Sequence, residues 1–210
     1  MSGAPTPDEP SRAIEVEQKF DVDESARLPD WTALPEIAAV GEPEVRELDA
    51  RYLDTDDLAL GRARVALRRR TGGPDEGWHV KVSAADGRHE WQWPLGASED
   101  VPDAVTAAVA EWAEPPFTAL ARIRNRRVAY ALTDATGALV AEVVDDHVTA
   151  TAERTGAVQR WREWEVELGP AAPADEEWRT RFFSGVGALV ADAGGRPAAS
   201  DSKLGRTLGL

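Results

Sequence analysis

Apolar and polar positions alternate along most of this chain, in short runs separated by polar turns. Eight runs have the period of two that is typical of half-buried strands. They cover about residues 13–21, 45–54, 63–71, 76–83, 88–95, 119–133, 138–149 and 159–168. The breaks carry turn residues, as in Thr71-Gly72-Gly73-Pro74-Asp75 and Asp134-Ala135-Thr136-Gly137. Because short polar turns favour antiparallel neighbours, we predict a mainly antiparallel sheet.

Three segments have helical spacing instead. Residues 30–40 form the weakest of them, because Pro35 interrupts the pattern. Residues 101–113 begin with Pro102, and residues 174–193 end at a Gly-Gly pair. The apolar stripes of the last two need a sheet to cover. The pattern therefore predicts an α+β fold, with a strongly curved sheet or barrel and helices packed on its outside.

Composition favours one domain with a disordered N-terminal tail. The chain has 210 residues, of which 42% are hydrophobic, enough for one sizeable core. We expect residues 1–11, rich in Pro and Ser, to be disordered and residues 12–210 to form a single domain. The sequence has no cysteine, which excludes disulfides and thiolate metal sites. Its three histidines, His79, His89 and His147, lack zinc spacing.

Charge and hydropathy limit the partners. No apolar run approaches the length of a membrane span, and the first residues lack the apolar core of a signal peptide, so we expect a cytoplasmic protein without a membrane partner. The net charge of −14 argues against a nucleic-acid polymer. Acidic residues crowd the ends and loops, whereas Arg and Lys lie inside the strand runs. This distribution favours a small, highly charged anion as the ligand.

Charged residues recur at every second position of the strands. Glu15, Glu17 and Lys19 would share one strand face. Similar rows in the later runs are Arg68 and Arg70; Lys81; Arg88 and Glu90; Arg122, Arg124 and Arg126; Glu142 and Asp146; and Glu163, Glu165 and Glu167. A solvated face with cross-strand ion pairs would explain any one of these rows. The rows recur on most strands, and the apolar stripes of the helices must cover the opposite face of the sheet. Both observations favour a curved sheet or barrel whose interior face is the charged one.

Carboxylates and cations in such rows suggest phosphate chemistry. Glutamate pairs with Asp146 would form an oxygen-rich site suited to Mg²⁺ or Mn²⁺. Arginine and lysine rows bind phosphate oxygens, and metal and cations together neutralise the charge that develops in phosphoryl transfer. The chain has no Walker-type phosphate loop.

The order of these motifs resembles the CYTH, or triphosphate tunnel metalloenzyme, superfamily over about residues 13–206. Glu15-x-Glu17-x-Lys19 resembles its ExExK signature. Further elements that look like the family's are Tyr52-Leu53-Asp54-Thr55, Leu67-Arg68-Arg69-Arg70, Lys81, Arg88-His89-Glu90, Arg127, Asp146, Glu165-Val166-Glu167 and Ser202-Lys203.

The resemblance implies a closed, eight-stranded antiparallel barrel whose tunnel binds triphosphate with a divalent metal, Mg²⁺ or Mn²⁺. It implies metal ligands at Glu15, Glu17, Asp146, Glu165 and Glu167. It implies phosphate-binding residues at Lys19, Arg68, Arg70, Lys81, Arg88, Arg127 and Lys203. Glu15, Glu17, Lys19, Glu165 and Glu167 would be the catalytic residues. Three residue assignments stay open, since Glu163 could join the glutamate pair, Asp145 could replace Asp146, and Arg124 or Arg126 could replace Arg127.

The expected function is a metal-dependent phosphohydrolase of a small triphosphate compound, with inorganic triphosphate as the first choice of substrate. Thiamine triphosphate hydrolysis and class IV-type adenylate cyclase activity are alternatives. A polyphosphate- or nucleotide-binding module is the non-enzymatic alternative. Many bacterial relatives carry a fused helical CHAD domain, for which we expect no room in 210 residues. The sequence fixes no oligomeric state.

Overall fold

Strands dominate the structure, a computed structural model that describes residues 9–84 and 87–210. The strands are β1 (Ser11–Glu15), β2 (Glu17–Val22), β3 (Ala39–Val40), β4 (Glu44–Asp54), β5 (Val65–Thr71), β6 (Gly77–Ala84), β7 (Gly87–Trp93), β8 (Thr118–Thr133), β9 (Leu139–Ala152), β10 (Ala157–Leu168) and β11 (Arg196–Pro197). The helices are α1 (Ala59–Arg62), α2 (Asp103–Val109), α3 (Glu176–Asp192) and α4 (Lys203–Leu208). Of the segment expected to be disordered, residues 1–8 lie outside the described residues, and Ser11 already begins β1.

All eight alternating runs have strand structure, seven of them as a single strand, and the antiparallel prediction is confirmed. The first run divides at Val16 into β1 and β2, so Glu15 lies on one strand and Glu17 on the next. The two-residue strands β3 and β11 were not predicted. The described residues therefore form eleven strands rather than eight, and closure of the sheet into a barrel stays a prediction.

The helix predictions have a mixed outcome. The segment 174–193 is confirmed as α3, and 101–113 contains the shorter α2. The helix expected over 30–40 is wrong. Asp30 caps only a 3₁₀ turn, Trp31–Ala33, by accepting from the backbone N–H of Thr32, and Pro35 follows the C-cap residue Leu34. Helices α1 and α4 were missed because each is too short to show a period.

The chain divides into two compact units. Unit 1 comprises residues up to 15, 48–124 and 150–159, and unit 2 comprises residues 16–47, 125–149 and 160–210. In unit 1 the sheet order is β1-β7-β6-β5-β4. In unit 2, β2 lies between β10 and β11, and β3 pairs with β8. The prediction of a single domain over 12–210 stays a prediction.

Each unit has its own apolar core between one sheet face and a helix. In unit 1, α2 contributes Val105 and Val109, which pack with Leu67, Trp78 and Val80 of β5 and β6. These side chains are nearly inaccessible to solvent, and their burial is the main stabilising contribution of this unit.

The core of unit 2 is built on α3. Its buried side chains Phe182 and Val186 cluster with Phe20 of β2 and with Trp164 and Val166 of β10. The alternation of β2 and β10 directs these apolar residues to the helix side of the sheet, so their charged neighbours lie on the opposite face.

The charged faces are buried as well. Asp146 is 0% exposed and Glu165 is 6% exposed, although both lie on the face opposite the core. Ionised side chains this deeply buried are rare unless they are paired. Their burial favours the polar-interior interpretation over a solvated lattice of surface ion pairs. Within the described parts of the chain, no helix has the length and apolar character to cross a membrane.

Candidate active site

Strands β2 and β10 pair antiparallel and bring the charged residues of unit 2 into register. Lys19 lies directly across from Glu165, and Glu17 lies across from Glu167. Asp21 lies across from Glu163 in the same way. Opposite charges at directly facing positions stabilise an antiparallel pair. The two strands thus place a row of carboxylates around one lysine.

A group of three buried carboxylates, the acidic cluster, consists of Asp146, Glu163 and Glu165. One oxygen from each carboxylate lies within 4.8 Å of an oxygen of the others. Asp146 comes from β9, and the two glutamates come from β10. Oxygens so closely grouped could bind one hard divalent cation, because such ions prefer carboxylate ligands. It is the only group of this kind among the described residues.

Three cations contact the acidic cluster. Lys203, the first residue of α4, places its Nζ 2.8 Å from Asp146, 2.5 Å from Glu163 and 2.7 Å from Glu165. Arg127 donates to both oxygens of Asp146 at 2.8 and 2.7 Å, and its Nη2 also donates to Glu165 at 2.7 Å. Lys19 donates to Glu165 and, at 2.7 Å, to Glu17.

Burial and charge act against each other in this cluster. Burial alone would raise the pKa of Glu165, but the charges of Lys19, Lys203 and Arg127 outweigh it and hold that pKa well below its usual value. The pKa of Asp146 is lowered too, since Lys203 and Arg127 overcome the effect of burial. Burial would lower the pKa of Lys203, yet Asp146 and Glu165 raise it well above its usual value. These groups are therefore charged at neutral pH.

Glu163 differs from its neighbours in this respect. Burial raises its pKa, with Lys203 opposing the shift and Glu165 adding to it. Its other carboxylate oxygen accepts a hydrogen bond from the indole N–H of Trp161. Sequence reasoning gave Glu163 only as an alternative member of the glutamate pair, because parity does not distinguish three glutamates on one strand face.

The structure separates the residues that the sequence left open. Asp145 points away from the acidic cluster and binds Arg162 at 2.8 Å through both carboxylate oxygens. Arg127 contacts the cluster, whereas Arg124 lies 3.6 Å from Asp49 in unit 1. Arg126, on β8, is half-exposed and reaches Glu47 at 3.8 Å. Glu167 pairs in register with Glu17 and is not part of the acidic cluster.

Unit 1 contains a second charged group on β1, β5, β6 and β7. Lys81 donates to both oxygens of Glu15 at 2.6 and 2.9 Å and lies 3.3 Å from Glu90. Arg68 lies 3.5 Å from Glu90 and donates to the hydroxyl of Tyr52 at 3.2 Å. Burial raises the pKa of Glu15, against the effect of Lys81 and with that of Glu90. The structure thus brings together the predicted residues Glu15, Lys81 and Arg68.

The predicted residues Arg70 and Arg88 lie beside this group. Arg70 is buried and pairs with Asp75 in the turn before β6. Arg88 of β7 is the register partner of Glu15. Both are consistent with the row expected from alternation.

Sequence reasoning missed the contribution of His79 to the site. It lies across from Arg68 in the β5–β6 register, and its Nδ1 is 2.6 Å from Glu90. Burial lowers the pKa of His79 to about 3, with the charge of Arg68 adding to the shift. Both ring nitrogens face acceptors, since Nε2 lies 3.0 Å from the carbonyl oxygen of Asp75. A neutral ring donates to only one of them, and we place its proton on Nδ1, because the pKa of Glu90 is lowered, against the effect of burial, by His79, Lys81 and Arg68, and an ionised carboxylate is the stronger acceptor. The alternating pattern does indicate this position, because His79 and Lys81 are two residues apart on β6 and therefore lie on the same strand face.

Comparison with known proteins finds similarity in sequence and in fold. Residues 13–183 match the family model of the CYTH domain. Two uncharacterized proteins of Mycobacterium tuberculosis, MT2285 of strain CDC 1551 and Rv2226 of strain H37Rv, are each 39% identical over 216 residues. The match covers 95% of this chain and 41% of each relative, so the chain spans less than half the length of these proteins.

Solved structures share the fold at low sequence identity. A candidate adenylate cyclase from Bacillus halodurans superposes with a TM-score of 0.66 at 18% identity and covers 93% of this chain and 97% of its own. A candidate adenylyl cyclase from Hippeastrum, HpAC1, for which a dominant triphosphatase activity is described, has a TM-score of 0.54 at 16% identity and covers 93% and 96%. The match of the family model over most of the chain, together with the close Mycobacterium relatives, assigns this chain to the CYTH domain family.

Proposed function

We propose that this chain is a divalent-metal-dependent phosphohydrolase of a small triphosphate compound, with inorganic triphosphate as the preferred substrate. The observation that carries the proposal is the acidic cluster of Asp146, Glu163 and Glu165, buried and contacted by the cations Lys19, Arg127 and Lys203. Buried carboxylates and cations in direct contact are the two components that a metal–polyphosphate complex requires.

The donor set fits a hard divalent ion. All three possible ligands of the acidic cluster are carboxylates, and the chain has no cysteine that would favour a softer metal. When bound, Mg²⁺ or Mn²⁺ would stabilise the charge that develops on the phosphoryl oxygens and activate water. Glu15, Glu17 and Glu167 stay predicted ligands on the basis of the family resemblance.

The three cations of unit 2 could exchange their carboxylate partners for phosphate oxygens when a metal ion binds. With Glu17 included, four carboxylates face three cations in the contacts described above. A divalent ion on the carboxylates would weaken their hold on Lys19, Arg127 and Lys203, which then become donors for phosphate oxygens. Arg127 suits this role because its guanidinium binds two oxygens at once, as it does with Asp146.

The remaining predicted phosphate-binding residues, Arg68, Arg70, Lys81 and Arg88, belong to unit 1 and stay predictions on the basis of the family resemblance. Arg68 and Lys81 are already arranged around Glu15 and Glu90, and Arg70 lies on the same strand face as Arg68. His79 stays neutral because its pKa is about 3, so its hydrogen bond to Glu90 orients that carboxylate without adding a cation. We assign His79 a positioning role.

The alternatives to triphosphate hydrolysis make distinct products. HpAC1, which shares the fold, has a dominant triphosphatase activity, and this supports hydrolysis over cyclisation. Thiamine triphosphate would need a site for its rings, and cyclase activity would need a site for the adenine base. A polyphosphate- or nucleotide-binding module would bind without releasing product.

A phosphate-release screen tests the proposal. The purified chain is incubated with triphosphate, ATP and thiamine triphosphate, each with Mg²⁺, Mn²⁺ or EDTA, and phosphate, pyrophosphate and cyclic AMP are measured. We expect phosphate release from triphosphate with metal and none with EDTA. Cyclic AMP from ATP would favour the cyclase, and tight triphosphate binding without any release would favour the binding module. Equal release by a Glu165→Gln variant would show that the acidic cluster does not catalyse the reaction.

A further inference from the structure

A pocket on the other face of the unit 1 sheet has features of a separate anion-binding site. It has a volume of about 300 Å³, the lower end of the range for small-molecule sites. Its lining includes Arg51, Arg69, Trp78 and Glu99. Arg69 lies between Arg68 and Arg70 on β5, so alternation directs it away from the charged group that contains Arg68.

Two arginines in this pocket face each other directly. Arg51 of β4 and Arg69 of β5 are register partners, and Arg69 is in turn the register partner of Trp78 on β6. Side chains at such positions on one face have Cβ atoms about 5 Å apart, and like charges there are destabilising. An anion between the two guanidinium groups removes this repulsion.

In the structure that anion is the carboxylate of Glu99, from the segment between β7 and α2. It lies 3.3 Å from Arg51 and 3.9 Å from Arg69, and its side chain is 68% exposed. These contacts are longer than a typical charge-assisted hydrogen bond. Glu99 therefore makes weaker contacts with the arginines than a short charged hydrogen bond would, and most of its side chain is in contact with solvent.

Polar atoms of the pocket lining are left without hydrogen bonds. The Nε of Arg69 and the Nε1 of Trp78 are buried and have no hydrogen-bond partner among the described residues. Trp78 is only 1% exposed, so its indole N–H cannot reach bulk solvent. Unmet buried donors are costly and favour a ligand that supplies acceptors. Leu53 and Ala121 add apolar lining.

We propose that this pocket binds a small organic anion whose carboxylate or phosphate group bridges Arg51 and Arg69 in place of the Glu99 carboxylate. The apolar part of the ligand lies against Leu53 and Ala121. The site is independent of the acidic cluster and of triphosphate hydrolysis, because none of its residues belongs to either charged group described above.

Two probes test the proposal on the whole chain, benzoate for a carboxylate and phenyl phosphate for a phosphate, with benzyl alcohol as the neutral control. Isothermal titration calorimetry gives the dissociation constant, and ¹H–¹⁵N NMR of the indole N–H groups reports contact with tryptophan. We expect at least one anionic probe to bind and to shift an indole signal, and benzyl alcohol to bind more weakly. The stronger of the two anions identifies the ligand group.

Substitutions locate the bound probe. Arg69→Gln and Arg51→Gln should each weaken binding by about tenfold or more, the effect of losing one charged hydrogen bond. Glu99→Gln should tighten binding, because it removes the competing carboxylate. Arg181→Gln and Glu177→Gln, which change the same charges on the exposed face of α3, should leave binding unchanged.

Three results would overturn the proposal. They are the absence of binding by both anions at millimolar concentration, equal effects of Arg69→Gln and Arg181→Gln, and weaker binding in Glu99→Gln. The titration is repeated in Glu165→Gln, where binding should persist whether or not the chain hydrolyses triphosphate. A probe lost in Glu165→Gln and retained in Arg69→Gln would lie in the candidate active site instead, which also contradicts the proposal.

Discussion

Lys203 places its ammonium nitrogen 2.8 Å from the carboxylate of Asp146, a side chain with no exposure to solvent. This contact joins α4, near the end of the chain, to the middle of β9. Ser202 begins α4 by accepting a hydrogen bond from the backbone N–H of Gly205, which fixes the direction in which Lys203 leaves the helix. A residue of the short helix α4 is therefore part of a buried ion cluster.

Replacing Lys203 by Met should weaken both substrate binding and folding. The variant leaves Asp146, Glu163 and Glu165 with one cation fewer in a buried site, and breaking a buried ion pair costs about 3–5 kcal/mol. Urea unfolding measures the stability, and calorimetry with triphosphate measures the binding. Arg181→Met is the control, since Arg181 is exposed on α3. Unchanged stability of Lys203→Met would contradict the described cluster.

Substitutions at the neighbouring residues Asp145 and Asp146 should distinguish an effect on metal affinity from an effect on the free energy of unfolding. Asp146→Asn removes one carboxylate of the proposed metal site, so the dissociation constant for Mn²⁺ should rise by more than about tenfold, the low end of what even outer-shell changes cost. Asp145→Asn breaks the pair with Arg162 on the other face and should cost about 3 kcal/mol of stability without altering Mn²⁺ affinity. Calorimetry with Mn²⁺ and urea unfolding check the two effects. If Asp145→Asn also lost Mn²⁺, the division between the faces would be wrong.

Alternation was sufficient to predict the sheet and its charged faces. Trp164 and Val166 pack in the unit 2 core while Glu163 and Glu165 lie on the opposite face, as a period of two requires. Alternation does not specify which charges meet across strands. The contacts between charges depend on the pairing register, which places Lys19 across from Glu165. Alternation also did not indicate that the first run divides at Val16.

Local sequence was a weaker guide to short elements and to adjacent residues of the same type. The helix expected over 30–40 is wrong because the 3₁₀ turn capped by Asp30 ends at Ala33, and Pro35, which has no backbone N–H, does not continue it as a helix. Asp145 and Asp146 are chemically identical, and only their opposite faces on β9 distinguish them. Burial, which makes His79 neutral, is a property of the packed chain and has no local signal.

Two glycine substitutions should have opposite effects on stability. A Cβ at Gly77 of β6 would lie 2.4 Å from the carbonyl oxygen of Trp93 on the neighbouring strand, so Gly77→Ala should destabilise by about 1–3 kcal/mol. A Cβ at Gly187 of α3 meets no atom within 4 Å, so Gly187→Ala should stabilise by up to about 1 kcal/mol through helix propensity. Thermal and urea unfolding of both variants measure the difference. Equal effects would contradict the close packing of β6 on β7.

The neutral state of His79 predicts how stability depends on pH. Its pKa in the folded chain is about 3, below the ordinary value of 6.5, because burial and Arg68 disfavour the charged ring. The stabilising contribution is therefore complete above pH 6.5 and is lost as the pH falls from 6.5 towards 3, since the unfolded chain takes up the proton first. The slope is at most about 1.4 kcal/mol per pH unit. Urea unfolding at pH 7, 6 and 5 measures it.

His79→Gln should lower the stability at pH 7, because the hydrogen bond to Glu90 changes, but it should remove this slope. The stability difference between the wild type and the variant should therefore shrink as the pH falls to 5. His147→Gln is the control, since His147 is half-exposed and no closer than 3.7 Å to a carboxylate, and it should retain the slope of the wild type. A slope that persists unchanged in His79→Gln would show that His79 is not its source, which contradicts the lowered pKa of this ring in the folded chain.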